Sequence, residues 1–438
     1  MKRLVWRGRK VRPADKHLML YETAAILVLC FLSGMGLACR KQLISQTWDE
    51  ITAGDLIPGV IFGGMLAVLI FSALFRQRKH RENIRNRQRL ARMLLENNWF
   101  ESETKDGRKR ITYFPAIWYR RKKNRICVTV QISMGRYQEH LLQLEEKIET
   151  GLDCELVSKE IKGSKCYYEF LTDVEAERIG IDEVRAEQGS LVLMRHIKWN
   201  YDKVPHALIA GGTGSGKTFF LLSLIEAFIS AGAKLYIIDP KNADLAGLGS
   251  MLPDVYFKKE DITACLSGFR DAMLARTGEM RERPDYAPGK NYAAYGYAAR
   301  FLVFDEYVAF MDMLEKKEVE GVVSLMKQII MLGRQAGFFV VLACQRPDAK
   351  YLGEGLRDQF GLRVALGSMS DSGYTMMFGS TDKIFVSKRI DGRGYINVGG
   401  SVITEFFAPF VPKSHDFFAE IPRRYAAAVP EAAPAGEA

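Results

Sequence analysis

The run ALIAGGTGSGKTFFLLSLIEAFISA, which begins at Ala207, constrains this chain more than any other feature. An apolar, strand-like segment feeds a glycine-rich loop that opens directly into an apolar helical segment. Gly211, four residues, then Gly216, Lys217 and Thr218 is the spacing a triphosphate cradle needs. Gly211, Gly212, Gly214 and Gly216, with Thr213 and Ser215 between them, let the loop aim successive backbone N–H groups at phosphates. The N-terminus of the following helix adds partial positive charge. In that geometry Lys217 reaches the β- and γ-phosphates of ATP, and Thr218 places its hydroxyl on Mg²⁺.

A cradle of this kind sits at the edge of a parallel sheet, and three further runs supply strands for one. FLVFDE, residues 301–306, is a buried-strand pattern that ends in two acids. Asp305 is expected in the Mg²⁺ shell, and Glu306 is expected to polarise the attacking water as general base. FFVVLACQ, residues 338–345, delivers Gln345 as a candidate γ-phosphate sensor before Arg346 and Pro347 stop the strand. KLYIIDPKNADL places Asp239 and Lys241 just past the end of another strand. Strands alternating with helical stretches make the fold class α/β, with helices on both faces of the sheet.

The N-terminal part reads differently. LIPGVIFGGMLAVLIFSALF, residues 56–75, is uncharged over about the 20 residues that span a hydrocarbon core. Residues 18–39 are nearly as apolar, with Glu22 close enough to the end to reach the interface. The expected anchor is therefore a two-helix transmembrane hairpin. A basic leader (1–17), an outside loop (40–55) and a basic juxtamembrane linker (76–95) surround it. Lysine and arginine crowd both flanks while the loop is near neutral, so both termini are expected in the cytoplasm, with the flanking cations touching anionic lipid. That placement accounts for much of the net charge of +10. The seven cysteines show no Cys-x-x-Cys pair and no nearby histidine at ligand spacing, which excludes a zinc or disulfide framework.

Between the anchor and the motor, residues 96–190 carry no catalytic pattern. ITYFPAIWYRR, RICVTVQI and KCYYEFL read as strands around one amphipathic helix, YQEHLLQLEEKIETGL, giving a small α+β domain. The basic turn RRKKN, residues 120–124, reads as a hairpin tip, either a solvated loop or a phosphate-contacting finger.

Taken together and in order, VPHALIAGGTGSGKT, YIIDPK, FLVFDE and GRQAGFFVVLACQRP resemble the motor of the FtsK/SpoIIIE DNA translocases over residues 191–411, within a motor domain expected to span 191–424. The resemblance implies a RecA-like P-loop NTPase core, a homo-hexameric ring, and DNA moved without regard to sequence. It also implies ATP hydrolysis between subunits, with Arg334 and Arg363 as candidates for contacts across the interface. Gly373 stands after Asp371 and Ser372 where the family has an arginine. Beyond Arg424 the Ala/Pro/Glu-rich tail, 425–438, is expected to be disordered, leaving no room for the family's DNA-reading winged-helix module. A two-span anchor, a small domain and a bare motor resemble the coupling protein of Gram-positive integrative conjugative elements. Such a protein would sit in the bacterial plasma membrane and pass relaxase-bound DNA to the proteins of a transfer channel. The alternatives are a chromosome-partitioning translocase of division or sporulation, and the ATPase of a protein secretion system.

Overall fold

The computed structural model describes residues 8–38, 53–76, 78–187 and 189–428. They form two compact units, one ending at Thr172 and one beginning at Asp173.

In the first unit, helix Leu18–Ala38 packs along helix Ala53–Arg76. Their closest approach is made by glycine: a Cβ on Gly34 would lie 2.3 Å from the carbonyl oxygen of Gly59. Small residues of this kind let two apolar helices bring their backbones together. Leu27, Val28, Leu29, Phe31, Val60, Ile61, Met65, Val68 and Leu69 all face outward. Among the described residues, one helix, Pro13–Gly36, is long and apolar enough to cross a membrane, and Ile57–Ile70 is a shorter apolar helix. The loop expected outside, 40–55, falls almost wholly beyond the described residues.

The segment expected as a basic linker is a helix, Arg78–Glu96, with one face buried through Ile84, Leu90, Ala91 and Leu94. Its cations are partly spent on packing. Arg87 bonds Asp15 at 2.8 Å, and His80 bonds Glu22 at 2.8 Å, which accounts for the charge inside the first apolar run.

Beyond it lies a five-stranded antiparallel sheet in the order Arg9–Lys10, Ile117–Lys122, Arg125–Gln131, Lys165–Leu171, Glu155–Lys162. The run ITYFPAIWYRR is split around Pro115: Arg108–Tyr113 pairs with Glu101–Lys105 in a separate ribbon, and only Ile117–Lys122 joins the sheet. Proline has no N–H for a ladder and fixes its φ, so a break there is the expected outcome. The amphipathic helix is also two pieces, Gln138–Leu142 and Glu145–Leu152. Ile148 and Leu152 of the second piece are buried, and Tyr168 on the sheet donates to the carbonyl of Leu141 in the first.

The second unit is built on an eight-stranded sheet. Its strands in chain order are β1 (Ala207–Gly211), β2 (Lys234–Ile238), β3 (Val255–Tyr256), β4 (Arg300–Phe304), β5 (Phe338–Cys344), β6 (Leu362–Leu366), β7 (Arg393–Val398) and β8 (Thr404–Phe407). The spatial order is β3-β2-β4-β5-β1-β6-β7-β8, parallel from β3 to β6 and antiparallel from there. Helix Lys259–Glu282 and helix Lys316–Ala336 cover one face, burying Phe269, Met273, Met326 and Ile329. Helix Lys217–Ser230 covers the other, where Phe228 stacks on Phe301 at 3.7 Å.

Residues 173–200, which include a segment expected to belong to the small domain, are part of this unit. Ile181 donates its N–H to Phe410, and Phe410 donates to Ile179. Trp199 is wholly buried, and Tyr201 sets its edge on Phe301 and Phe339 at 5.2 Å each. At the other end, helix Phe417–Ala428 continues past Arg424 and packs on helix Lys217–Ser230; the rest of the expected tail lies outside the described residues. Arg424 and His415 reach the buried Glu226 carboxylate at 2.6 and 2.9 Å, so the last helix is fastened to the one that begins at the glycine loop.

Candidate nucleotide site

Four of the parallel strands, β1, β2, β4 and β5, end around one cleft. β1 ends at Gly211, residues 212–216 form the loop, and Lys217 is the first residue of the following helix. Gly216 has φ +89°, a left-handed conformation, and a Cβ there would lie 3.1 Å from Cα of Gly392. Only glycine meets both conditions without strain. The loop is otherwise exposed at Gly212, Thr213 and Gly214, while Ser215 and Thr218 are half-buried.

β4 ends at Phe304 and hands Asp305 and Glu306 to the same cleft. Glu306 has φ +50°, an uncommon value for a residue with a long side chain, and it turns its carboxylate back over the loop. Non-glycine residues held in this region cluster at functional sites. Lys217 Nζ donates to Asp305 Oδ1 at 2.8 Å and to Glu306 Oε1, and Lys241 Nζ donates to Glu306 Oε2 at 2.7 Å. Burial works against the Lys217 ammonium, but Asp305 and Glu306 outweigh it and hold its pKa above the ordinary lysine value. Burial lifts the Asp305 carboxyl above its usual range in spite of Lys217. Burial also opposes ionisation of Glu306, but hydrogen bonds from Lys217 and Lys241 prevail and lower its pKa.

The cleft has a volume of about 530 Å³ and is lined by residues 211–219 together with Asp239, Lys241, Ala243, Asp244, Asp305, Glu306, Gln345 and Asp391. This is within the range of a small-molecule site. Five carboxylates against two lysines leave its lining net negative, so a polyanionic phosphate chain fits only with a cation beside it. Among the described residues no group of three or more His, Cys, Asp or Glu is arranged to hold a metal on its own. Thr218 and Asp305 would therefore share Mg²⁺ with phosphate oxygens and water, which suits that ion's usual coordination.

The sequence-predicted residues divide into those the cleft gathers and those it does not. The glycine loop, Lys217, Thr218, Asp305, Glu306 and Gln345 all line it. Asp239 lines it too, but its Oδ2 accepts from the N–H groups of Ala243 and Ala246 at 2.9 and 3.0 Å, so it also fixes the turn after β2. Arg334 is exposed in the last turn of helix Lys316–Ala336 and does not line the cleft. Arg363, on β6, is also outside it. Its guanidinium donates to the carbonyls of Phe360, Met377 and Arg357 and to Asp358 Oδ1, which knits together three segments of its own chain. Gly373 lies buried in helix Asp371–Phe378, and Arg346 instead donates to the neighbouring Ser372 at 2.9 Å. Sequence reasoning missed Phe219, Asp244 and Asp391. The signal for Asp391 was the Gly-Arg-Gly run that follows it, since Gly392 has φ +73° and abuts the loop glycine.

The FtsK/SpoIIIE family profile matches residues 187–283, which contain the glycine loop. Over 434 residues the chain is 43% identical to the FtsK domain-containing protein YdcQ of Bacillus subtilis (strain 168), covering 95% of this chain and 90% of that protein. The chain belongs to the FtsK/SpoIIIE family. As a member of it, the chain is a P-loop ATPase of the DNA-translocase type. The DNA translocase FtsK of Corynebacterium glutamicum is 26% identical over 215 residues, and there the match spans only 23% of the longer protein. Among solved structures, the pCW3 conjugation coupling protein TcpA, with ATPγS, aligns with 78% of this chain and 99% of its own at a TM-score of 0.52 and 19% identity. That likeness is one of fold: the P-loop NTPase motor expected from the sequence is shared.

Proposed function

We propose that this chain is a membrane-anchored, ATP-driven DNA translocase that acts as a conjugative coupling protein, delivering relaxase-bound DNA to a membrane transfer channel. The observation that carries the reading is the cleft where Lys217 meets Asp305 and Glu306, on a fold that spans nearly all of a conjugation coupling protein. The helix pair 18–38 and 53–76, apolar outward and closed on Gly34, supports a two-pass anchor in the plasma membrane with both termini in the cytoplasm.

In this reading backbone N–H groups of residues 212–216 cradle the phosphates of ATP and Lys217 leaves the two acids to meet them. Thr218 and Asp305 would hold Mg²⁺, which when bound would supply charge neutralisation at the phosphates. Glu306, released by Lys217, orients and deprotonates the attacking water, and Gln345 reports the γ-phosphate. Hexamer formation brings Arg334 of one subunit toward the cleft of the next. Arg363 takes part in that interface by holding β6 and its flanking loops in place.

The test is the ATPase rate of the full-length protein in lipid nanodiscs, alone and with single- or double-stranded DNA. We expect stimulation by DNA that Lys217→Ala abolishes. Hydrolysis that neither form of DNA changes would overturn the DNA-motor reading.

A further inference from the structure

Among the described residues, the ribbon formed by Glu101–Lys105 and Arg108–Tyr113 pairs with no other strand. Of residues 101–110 all but Ser102 are exposed, so the ribbon adds almost nothing to the core. Two-stranded ribbons of this kind are marginal in water by themselves. Asp106 and Gly107, with φ of 53° and 73°, make the tight turn and fix the register: Lys105 faces Arg108, and Glu103 faces Arg110.

That register sets two cations directly opposite each other, a destabilising arrangement on a sheet surface. Side chains alternate along a strand, so Lys105, Arg108 and Arg110 lie on one face. Among the described residues none of the three has a side-chain ion pair or hydrogen bond, and neither Asp106 nor Glu103 provides one. Lys109 belongs to the other face, where its Nζ sits 5.7 Å from the centre of the Phe100 ring. The other basic tip, residues 120–124, differs: Arg121 there is bonded to Glu82. This face of the ribbon therefore presents three cations that no ion pair holds, with Glu103 the one acid opposite them, and two of the three are guanidiniums with the fork geometry that matches phosphate oxygens.

We propose that this face of the ribbon grips the phosphate backbone of DNA without reading its sequence, an inference that rests on the DNA-motor reading above. Anionic lipid headgroups offer the same chemistry, but the geometry disfavours them. Helix Arg78–Glu96 runs back along the start of the chain, with His80 at Glu22, Arg87 at Asp15 and Arg92 at Lys16. Passing from Glu22 to Asp15 takes the helix past Leu18, where the apolar helix Leu18–Ala38 begins, so it carries the chain away from that run. From Arg87 to Glu96 that is roughly 14 Å at the rise of an α-helix. This is nearly two Debye lengths at physiological ionic strength, over which a bilayer's surface charge is largely screened, and the vesicle arm of the experiment decides between the two sources.

The experiment measures binding of labelled duplex and single-stranded DNA to the full-length protein in neutral nanodiscs across a salt series. Lys105→Glu/Arg108→Glu/Arg110→Glu should make the slope of log K against log salt shallower by about 2–3 for duplex DNA. Its basal ATPase should be unchanged, because none of the three lines the nucleotide cleft. The charge-preserving set Lys105→Arg/Arg108→Lys/Arg110→Lys should retain the wild-type slope, which guards against an effect of misfolding. A Glu variant with normal basal ATPase and the wild-type slope would overturn the proposal. So would a variant whose only loss is binding to phosphatidylserine-containing vesicles. Wild-type protein that binds neither DNA would sink the DNA-motor reading itself, an outcome distinct from both.

Discussion

His206 supports the strand that launches the glycine loop, and its protonation should set the acid limit of the motor. The imidazole is fully buried: Nε2 bonds the carbonyl of Ile330 at 2.8 Å, and Nδ1 accepts the N–H of Val340 at 3.0 Å. Those partners fix the neutral tautomer with its proton on Nε2. Burial pushes the pKa from 6.5 down to about 4, against a smaller opposing effect of the bond to Ile330. The unfolded chain therefore takes up a proton near pH 6.5, and the native protein resists until about pH 4. Stability linked to this group is complete above pH 6.5 and falls by about 1.4 kcal/mol for each pH unit below it, roughly 3 kcal/mol by pH 4. His206→Asn tests this. Asparagine tolerates the left-handed backbone, φ 59°, and its Oδ1 can take over the bond to Val340, leaving the Ile330 carbonyl unpaired. At pH 7.5 the variant should be less stable by about 1–3 kcal/mol. At pH 4.5 that gap should shrink by about 2–3 kcal/mol, because only the wild type loses the histidine contribution. Denaturant unfolding at both pH values reads the difference, in which the shared titration of carboxylates cancels. A gap that stays constant would refute the buried neutral histidine.

Phe219→Ala should raise KM for ATP several-fold with little change in kcat, whereas Asp391→Asn, which removes a negative charge from a net-negative cleft, should lower KM; steady-state kinetics check this, and a fall in kcat in either variant would place that residue at the reacting phosphate instead. Arg363→Ala should lower the thermal midpoint of the isolated subunit, because the guanidinium ties Phe360, Met377 and Arg357 within one chain. An unchanged midpoint with lost ring ATPase would return that residue to a purely intersubunit role.

The motor was legible because its signals are local. An apolar run, a glycine loop at fixed spacing and a helix fall in one stretch of 24 residues, 207–230, and β4 carries its two acids on its own end. What escaped depends on distant pairing. Nothing between residues 173 and 190 announces that Ile179 and Ile181 bond Phe410 across more than two hundred residues, so the domain boundary was expected too late. The basic segment after the second apolar run reads as a linker until its Leu90 and Leu94 find a partner surface. Arg363 carries a family resemblance to an interface residue, but the carbonyls that absorb its donors come from loops whose positions no spacing rule gives. Asp391 enters the cleft only because β7 lies two strands from β1 and starts beside Gly216.

The ion pairs in the cleft bear on how ATP binding is coupled to its hydrolysis. Lys217 spends two of its three N–H donors on Asp305 and Glu306, so in the proposed reading nucleotide competes with the acids for the same ammonium. Until it does, Glu306 is held ionised between two lysines, one on each of its oxygens. Substituting Glu306 should therefore move binding and turnover in opposite directions. In Glu306→Gln one charged competitor for Lys217 is gone, so ATP affinity should rise, by up to about tenfold if one charge-assisted bond worth about 1.5 kcal/mol is removed. Hydrolysis should fall by about 10²–10⁴-fold with the loss of the base. Equilibrium binding of a fluorescent ATP analogue, beside single-turnover hydrolysis, separates the two effects. Weaker binding in the variant would mean that Glu306 helps to hold the nucleotide, and the competition inferred from the ion pairs of Lys217 would be wrong.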